Sequence, residues 1–161
     1  MTESLTREAQ SELRAFAEDQ MALVRNYEKH KSFEAAYLAR WAIAERFVKT
    51  VAAEHREATL RAALWEWTQY LDGTETERPS SKLDTTLESF SLPNKKEFKV
   101  SLESYGFDAD SIWKVMDSGG QPRRRRNEIA HTGKRFSRVD YYERLAVEVQ
   151  AVVDIVLRLS P

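Results

Sequence analysis

Cysteine is absent from these 161 residues, which excludes disulfides and thiolate metal ligands and permits a reducing compartment without requiring one. Gly (5) and Pro (4) are scarce, so turn punctuation is sparse, and the abundant Ala, Leu, Glu and Arg favour a chain that is mostly helix. No apolar run at the N-terminus is long enough for a signal peptide or a membrane span, because MTESLTREAQSELRAF carries charges throughout. A cytoplasmic protein with no membrane association is expected. The only histidines, His30, His55 and His131, do not make a zinc spacing, so neither a metal nor a cofactor is expected.

What remains is one core's worth of chain. With 42% hydrophobic residues over this length, a single domain spanning 1–161 is expected. Net charge is −1, but it is unevenly placed. Residues 121–161 hold nine Lys/Arg against five Asp/Glu (+4), and the rest hold sixteen against twenty-one (−5). A near-neutral chain with one cationic segment is suited to meet an anion at one place.

The pattern reads as helices. Leu13, Phe16, Ala17, Met21 and Val24 recur near the helical period between Thr6 and about His30. Ser32 is a candidate cap for a second helix, with Glu34 in its first turn. Its run FEAAYLARWAIAERFVKTVAAEH is apolar on more than one side, so the helix is central or faces both core and partner subunit. EATLRAALWEWTQYLDG continues or restarts it and stops at Asp72-Gly73. Trp65 and Trp67 point about 200° apart, so one is a candidate for an interface. TETERPSSK reads as a loop, and Asn94 with Glu97 as a capping-box start for KKEFKVSLESYGF. A short helix around SIWKVMD stops at Gly119-Gly120, Pro122 opens another that ends at Gly133, and Ser137 with Asp140 opens the last. These make an all-α, single-domain bundle of five to six helices.

Chemistry concentrates in RRRRNEIAHTGKR, residues 123 to 135. On a straight helix Asn127 and His131 share a face, Arg124 aligns with His131 within about 20°, and Arg126 lies about 140° from it. An amide, an imidazole and a guanidinium can therefore converge, with Arg126 wrapping round, the helix distorting, or a second subunit completing the set. A His in the last turn is equally favoured by the helix dipole, and an arginine run is equally a solvated face. Spacing alone does not choose. Glu45 is either a buried partner or a surface charge.

The string Arg126-Asn127-Glu128-Ile129-Ala130-His131, closely followed by Gly133 and set before a long terminal helix, resembles the signature of the HEPN domain superfamily. That signature is an Arg, usually followed by a polar residue, and a His a few positions on, here after four intervening residues. The resemblance covers the motif, supported by the all-helical plan and chain length. It implies a metal-independent endoribonuclease of the kind common among prokaryotic toxins and antiviral effectors, acting as a homodimer with its two motifs side by side. Arg126 and His131 carry over as the catalytic pair, Asn127 as the polar residue and Glu45 as an acidic residue that many members keep on an earlier helix. RNA is the implied substrate, and an antitoxin or defence-system protein the implied partner. In one toxin branch a Tyr two places after the His is modified by the antitoxin; Gly133 stands there in this chain, so that regulation is not implied.

Metal-free RNA cleavage needs a base for the 2′-hydroxyl, an acid for the leaving 5′-oxygen and a cation for the phosphate. His can serve as base or acid, and Arg can grip a phosphate oxygen. One His per chain does not easily serve both transfers, which favours two chains meeting about a two-fold axis. Arg123, Arg124, Arg125, Lys134 and Arg135 then form a rim that holds single-stranded or loop RNA. The competing readings are a HEPN-like module that binds RNA or protein without cutting, and a helical protein whose basic helix docks on an acidic surface.

Overall fold

The computed structural model of the chain describes residues 3–79 and 95–160, and among them six helices and no strand. These are α1 (Arg7–Lys29), α2 (Phe33–Leu71), α3 (Lys95–Ser104), α4 (Ala109–Met116), α5 (Gln121–Thr132) and α6 (Val139–Leu157). The fold is an all-α bundle around one hydrophobic cluster to which every helix contributes.

Thr6 starts α1 by accepting a hydrogen bond from the Ala9 amide (3.2 Å), and its own amide and hydroxyl donate to Glu54 of α2 (3.1 and 2.6 Å). Leu13, Ala17 and Val24 then fall on one buried face. Helix α2 runs unbroken for 39 residues, about 58 Å at 1.5 Å per residue. From Ala36 to Ala52 its buried side chains sweep an arc of roughly 220°, and α1, α3 and α6 cover that arc. The breadth of the apolar face is thus accounted for within one chain. Beyond Ala52 only Ala63 is buried, and Trp65 stands 67% exposed. Trp67 meets Tyr70 edge-on, with Arg78 over its ring (5.4 Å).

Arg40 ties three helices together: its guanidinium donates to Glu28 of α1 (2.8 Å) and to Gln150 (2.8 Å) and the Tyr142 hydroxyl (2.5 Å) of α6. Such a charge is tolerated inside because all three of its nitrogens have partners.

Several helix ends differ from the sequence expectations. Ser32 occupies the cap position of α2 without a side-chain bond. Ser137 does not open α6; the helix starts at Val139 with Arg138 in the cap position, where its fork grips Asp140 (3.1 and 2.9 Å). That bidentate pair occupies the carboxylate Ser137 was expected to share. Residues 80–82 of the predicted loop and Asn94 of the predicted capping box lie outside the described residues, and Glu97 sits in the first turn of α3 as expected. No helix among the described residues is long and apolar enough to cross a membrane.

Candidate functional site

Helix α5 is pinned at both ends. A Cβ at Gly120 would lie 3.0 Å from the Lys114 carbonyl oxygen and 3.3 Å from that of Asp117, so a larger residue there would have to push backbone aside by a few tenths of an ångström. Pro122 is buried in the first turn, and its carbonyl accepts the Tyr37 hydroxyl of α2 (2.5 Å). At the other end Gly133 takes the left-handed conformation (φ +65°). Its amide donates to Ile129 (2.9 Å) and that of Lys134 to Glu128 (3.4 Å), satisfying carbonyls that would otherwise be orphaned.

Between these ends the four arginines diverge, because successive residues step by about 100° around a helix. Arg123 is half-buried and donates to the Met116 carbonyl (3.1 Å). Arg124 points to solvent. Arg125, expected on the RNA-binding rim, is turned inward: it is 8% exposed, with its guanidinium over the rings of Phe136 (5.0 Å) and Tyr141 (4.8 Å). Its Nε lies 3.6 Å from Glu128, within ion-pair range, yet neither Nε nor Nη1 makes a hydrogen bond. The α6 packing leaves one side of α5 facing the core, and Arg125 is the arginine on that side.

Arg126 turns toward α2. Its Nη1 donates to the Asn127 side-chain oxygen (3.0 Å), and its Nη2 lies 3.8 Å from Glu45. Glu45, left open by the sequence, is half-buried and shared, its other oxygen 3.1 Å from Lys49. Three residues of the predicted site, Glu45, Arg126 and Asn127, are therefore in one place. His131 is not with them: it is exposed on α5 and makes no hydrogen bond or ion pair with any described residue. Lys134 pairs with Glu128 (3.5 Å), and Arg135 is exposed. The loop after His131 is held to the body where the Phe136 amide donates to Glu34 (3.3 Å).

Sequence reading missed a pocket beside Arg126. Its buried side is Trp41, Val48, Trp113 and Met116, and its half-exposed side includes Phe98, Glu45, Arg123 and Arg126. On the sequence these apolar residues are indistinguishable from ordinary core, since α2, α3, α4 and α5 meet here only in three dimensions. Among the described residues no three His, Asp or Glu side chains gather into a group that could hold a metal ion. No protein-family model matches this chain, and neither a curated protein nor a solved structure matches it.

Proposed function

We propose that this chain is a metal-independent endoribonuclease that cuts single-stranded or loop RNA as a homodimer, with Arg126 and His131 of both copies at a composite site. The observation that carries the reading is the setting of Arg126. It is half-buried, oriented by Asn127 and faced at 3.8 Å by Glu45, the acidic residue to which the HEPN resemblance pointed independently. A partly solvated Arg–Glu pair at that distance is weak, so an incoming phosphate can displace the carboxylate and take the fork.

In the proposed reaction one His131 removes the 2′-hydroxyl proton, the 2′-oxygen attacks phosphorus and the P–O5′ bond breaks. The protonated His131 of the second copy gives its proton to the leaving 5′-oxygen. The products are a 2′,3′-cyclic phosphate and a 5′-hydroxyl, and Arg126 holds the charge that builds on the non-bridging oxygens. Arg123, Arg124, Lys134 and Arg135 supply the cationic approach. The cellular role that goes with this activity is that of a toxin or antiviral effector restrained by an antitoxin or other defence-system protein in the cytoplasm.

The test is labelled RNA incubated with purified protein in EDTA. Cleavage with cyclic-phosphate ends, blocked by 2′-O-methylation and reduced roughly 10²–10⁴-fold in His131→Ala with unchanged helical circular dichroism, is the expected result. Undiminished cleavage by that variant, or 5′-phosphate ends, rejects it. The alternative is a module that binds RNA or protein without cutting. It draws on the lack of any contact between Arg126 and His131 within one chain, and binding without cleavage in the same assay would select it.

A further inference from the structure

In the pocket beside Arg126 one carboxylate faces two cations. Glu45 and Lys49 stand four apart on α2 and so share a face of the helix; Glu45 Oε1 lies 3.1 Å from Lys49 Nζ, and Oε2 lies 3.8 Å from Arg126 Nη2. Arg123 lines the same pocket, oriented by its bond to the Met116 carbonyl (3.1 Å) as Arg126 is by the Asn127 side chain (3.0 Å). Three cations against one carboxylate leave an excess of positive charge among the lining residues.

A solvated i, i+4 ion pair accounts for Glu45 and Lys49 alone. It does not account for two arginines arriving from α5, each with its own neutral acceptor, at a pocket whose buried walls include Trp41, Val48 and Met116. Apolar walls lower the local dielectric, so gathered like charges repel more there than in open water, and a second anion is what offsets them. The cavity of about 90 Å³ is roughly three waters' share of liquid volume, which suits one phosphate group and not a ring system or a peptide. Glu45 itself demonstrates the reach: a single anion already spans Lys49 and Arg126 with two oxygens.

We infer that Lys49 is a further phosphate-binding residue, which closes with Arg123 and Arg126 round a single phosphate group, and that Glu45 is the internal anion holding that group's place in the unbound chain. The inference rests on the ribonuclease reading for the source of the phosphate, an RNA backbone. It adds a third cation, from α2, to the two supplied by α5. It also gives Glu45 a definite role, as a competitor of the substrate for Lys49 and Arg126.

The experiment measures binding of a 2′-O-methyl oligoribonucleotide, which keeps its phosphates and lacks the attacking hydroxyl, at several salt concentrations. Lys49→Met keeps the stem and removes the charge at a position 55% exposed, where folding does not depend on it. It is expected to weaken binding roughly 3- to 10-fold and to lower the salt slope by about one charge, whereas Lys29→Met, exposed on α1, should change neither. Glu45→Gln removes the competing carboxylate and should tighten binding roughly 2- to 5-fold. The double variant separates direct contact from an indirect effect: a lysine that touches the phosphate costs the same factor in the Glu45→Gln background, and one that merely draws Glu45 away from Arg126 costs nothing there. A second arm adds inorganic phosphate, with chloride at matched ionic strength as its control. Displacement of the oligonucleotide by phosphate beyond chloride, weaker in Lys49→Met, supports the pocket as a seat for a lone phosphate; no such displacement, with the Lys49 loss intact in both backgrounds, assigns the seat to a phosphate within a strand. Native binding by Lys49→Met, a loss confined to chains that carry Glu45, or weaker binding by Glu45→Gln overturns the inference and leaves the ribonuclease reading to its own cleavage assay. The expected binding changes without cleavage of the ribo form support the pocket and remove the catalytic reading. Neither binding nor cleavage removes both.

Discussion

Replacing Arg125 tests whether the arginine run is a surface feature or part of the core. In Arg125→Ala the side chain lost is 8% exposed and lies over Phe136 and Tyr141, so its removal leaves a cavity under both rings. Two desolvated cation–π contacts contribute about 1–3 kcal/mol together, and truncating a large buried side chain costs about 2–3 kcal/mol more. Against this, two donors that now lack hydrogen bonds disappear, which returns about 1–3 kcal/mol in total. The losses win, and a net destabilisation of about 1–3 kcal/mol is expected, or roughly 2–12 °C in Tm for a chain of this size.

Arg125→Met refines the argument, since it keeps most of the stem volume, brings no orphan donors and places a sulfur beside the rings. Its stability should stay within about 1 kcal/mol of the native protein. Arg124→Ala, at a solvated position, should change stability by less than about 0.5 kcal/mol. RNA binding should divide the pair the other way, with the salt dependence falling by about one charge in Arg124→Ala and unchanged in Arg125→Met. Thermal unfolding followed by circular dichroism, with binding titrations at several salt concentrations, reads both effects. Equal mildness of Arg125→Ala and Arg124→Ala, or loss of RNA affinity in Arg125→Met matching that in Arg124→Ala, would refute the assignment of Arg125 to the core.

Arg40→Met should lower stability by about 2–3 kcal/mol, because Tyr142 and Gln150 lose their donor and Glu28 its cation; an unchanged urea midpoint would mean the network contributes nothing. Burial pushes the Tyr142 and Tyr105 hydroxyls from 10.0 up to about 12, and Tyr37 higher still. The unfolded chain therefore loses these protons first, and stability should fall as pH rises from 10 toward 12. A Tm that is flat across that window, or tyrosinate absorbance appearing before unfolding, contradicts it. Sedimentation should show a dimer at concentrations where RNA is cleaved, and a fully active monomer would remove the composite site.

Helical period made α1, the broad apolar face of α2 and the core stripe of α6 legible, since Leu145, Val149, Val152, Val153 and Val156 fall on one face in any straight helix. Gly133 was legible for a similar reason: a helix that must stop there needs a left-handed residue. What could not be read was rotation. Period alone assigns four consecutive arginines to four directions without saying which faces inward, and that is settled by Phe136 and Tyr141 arriving from the next loop and helix. The start of α6 is not legible either: the helix begins at Val139 with Arg138 in the cap position and its fork on Asp140, an exposed pairing that cap preferences do not specify.

The placement of Arg126 decides what kind of site this helix can form. Glu45 divides its two oxygens between Lys49 at 3.1 Å and Arg126 at 3.8 Å, and both carboxylate and guanidinium are about one-third exposed. A shared, partly solvated pair of this length contributes at most about 1 kcal/mol, so it parks the guanidinium without committing it. A phosphate offering two oxygens to the same fork competes easily, because charge-assisted bidentate bonds are the stronger kind. His131, by contrast, is exposed and has no orienting partner among the described residues, so the role of general base proposed for it lacks the contact that would aim the imidazole. The two halves of the motif are thus at different stages of preparation: the arginine is aimed and lightly held, the histidine is free. Whatever completes the proposed site must supply the contact that fixes His131, and under the homodimer proposal that contact has to come from the second copy.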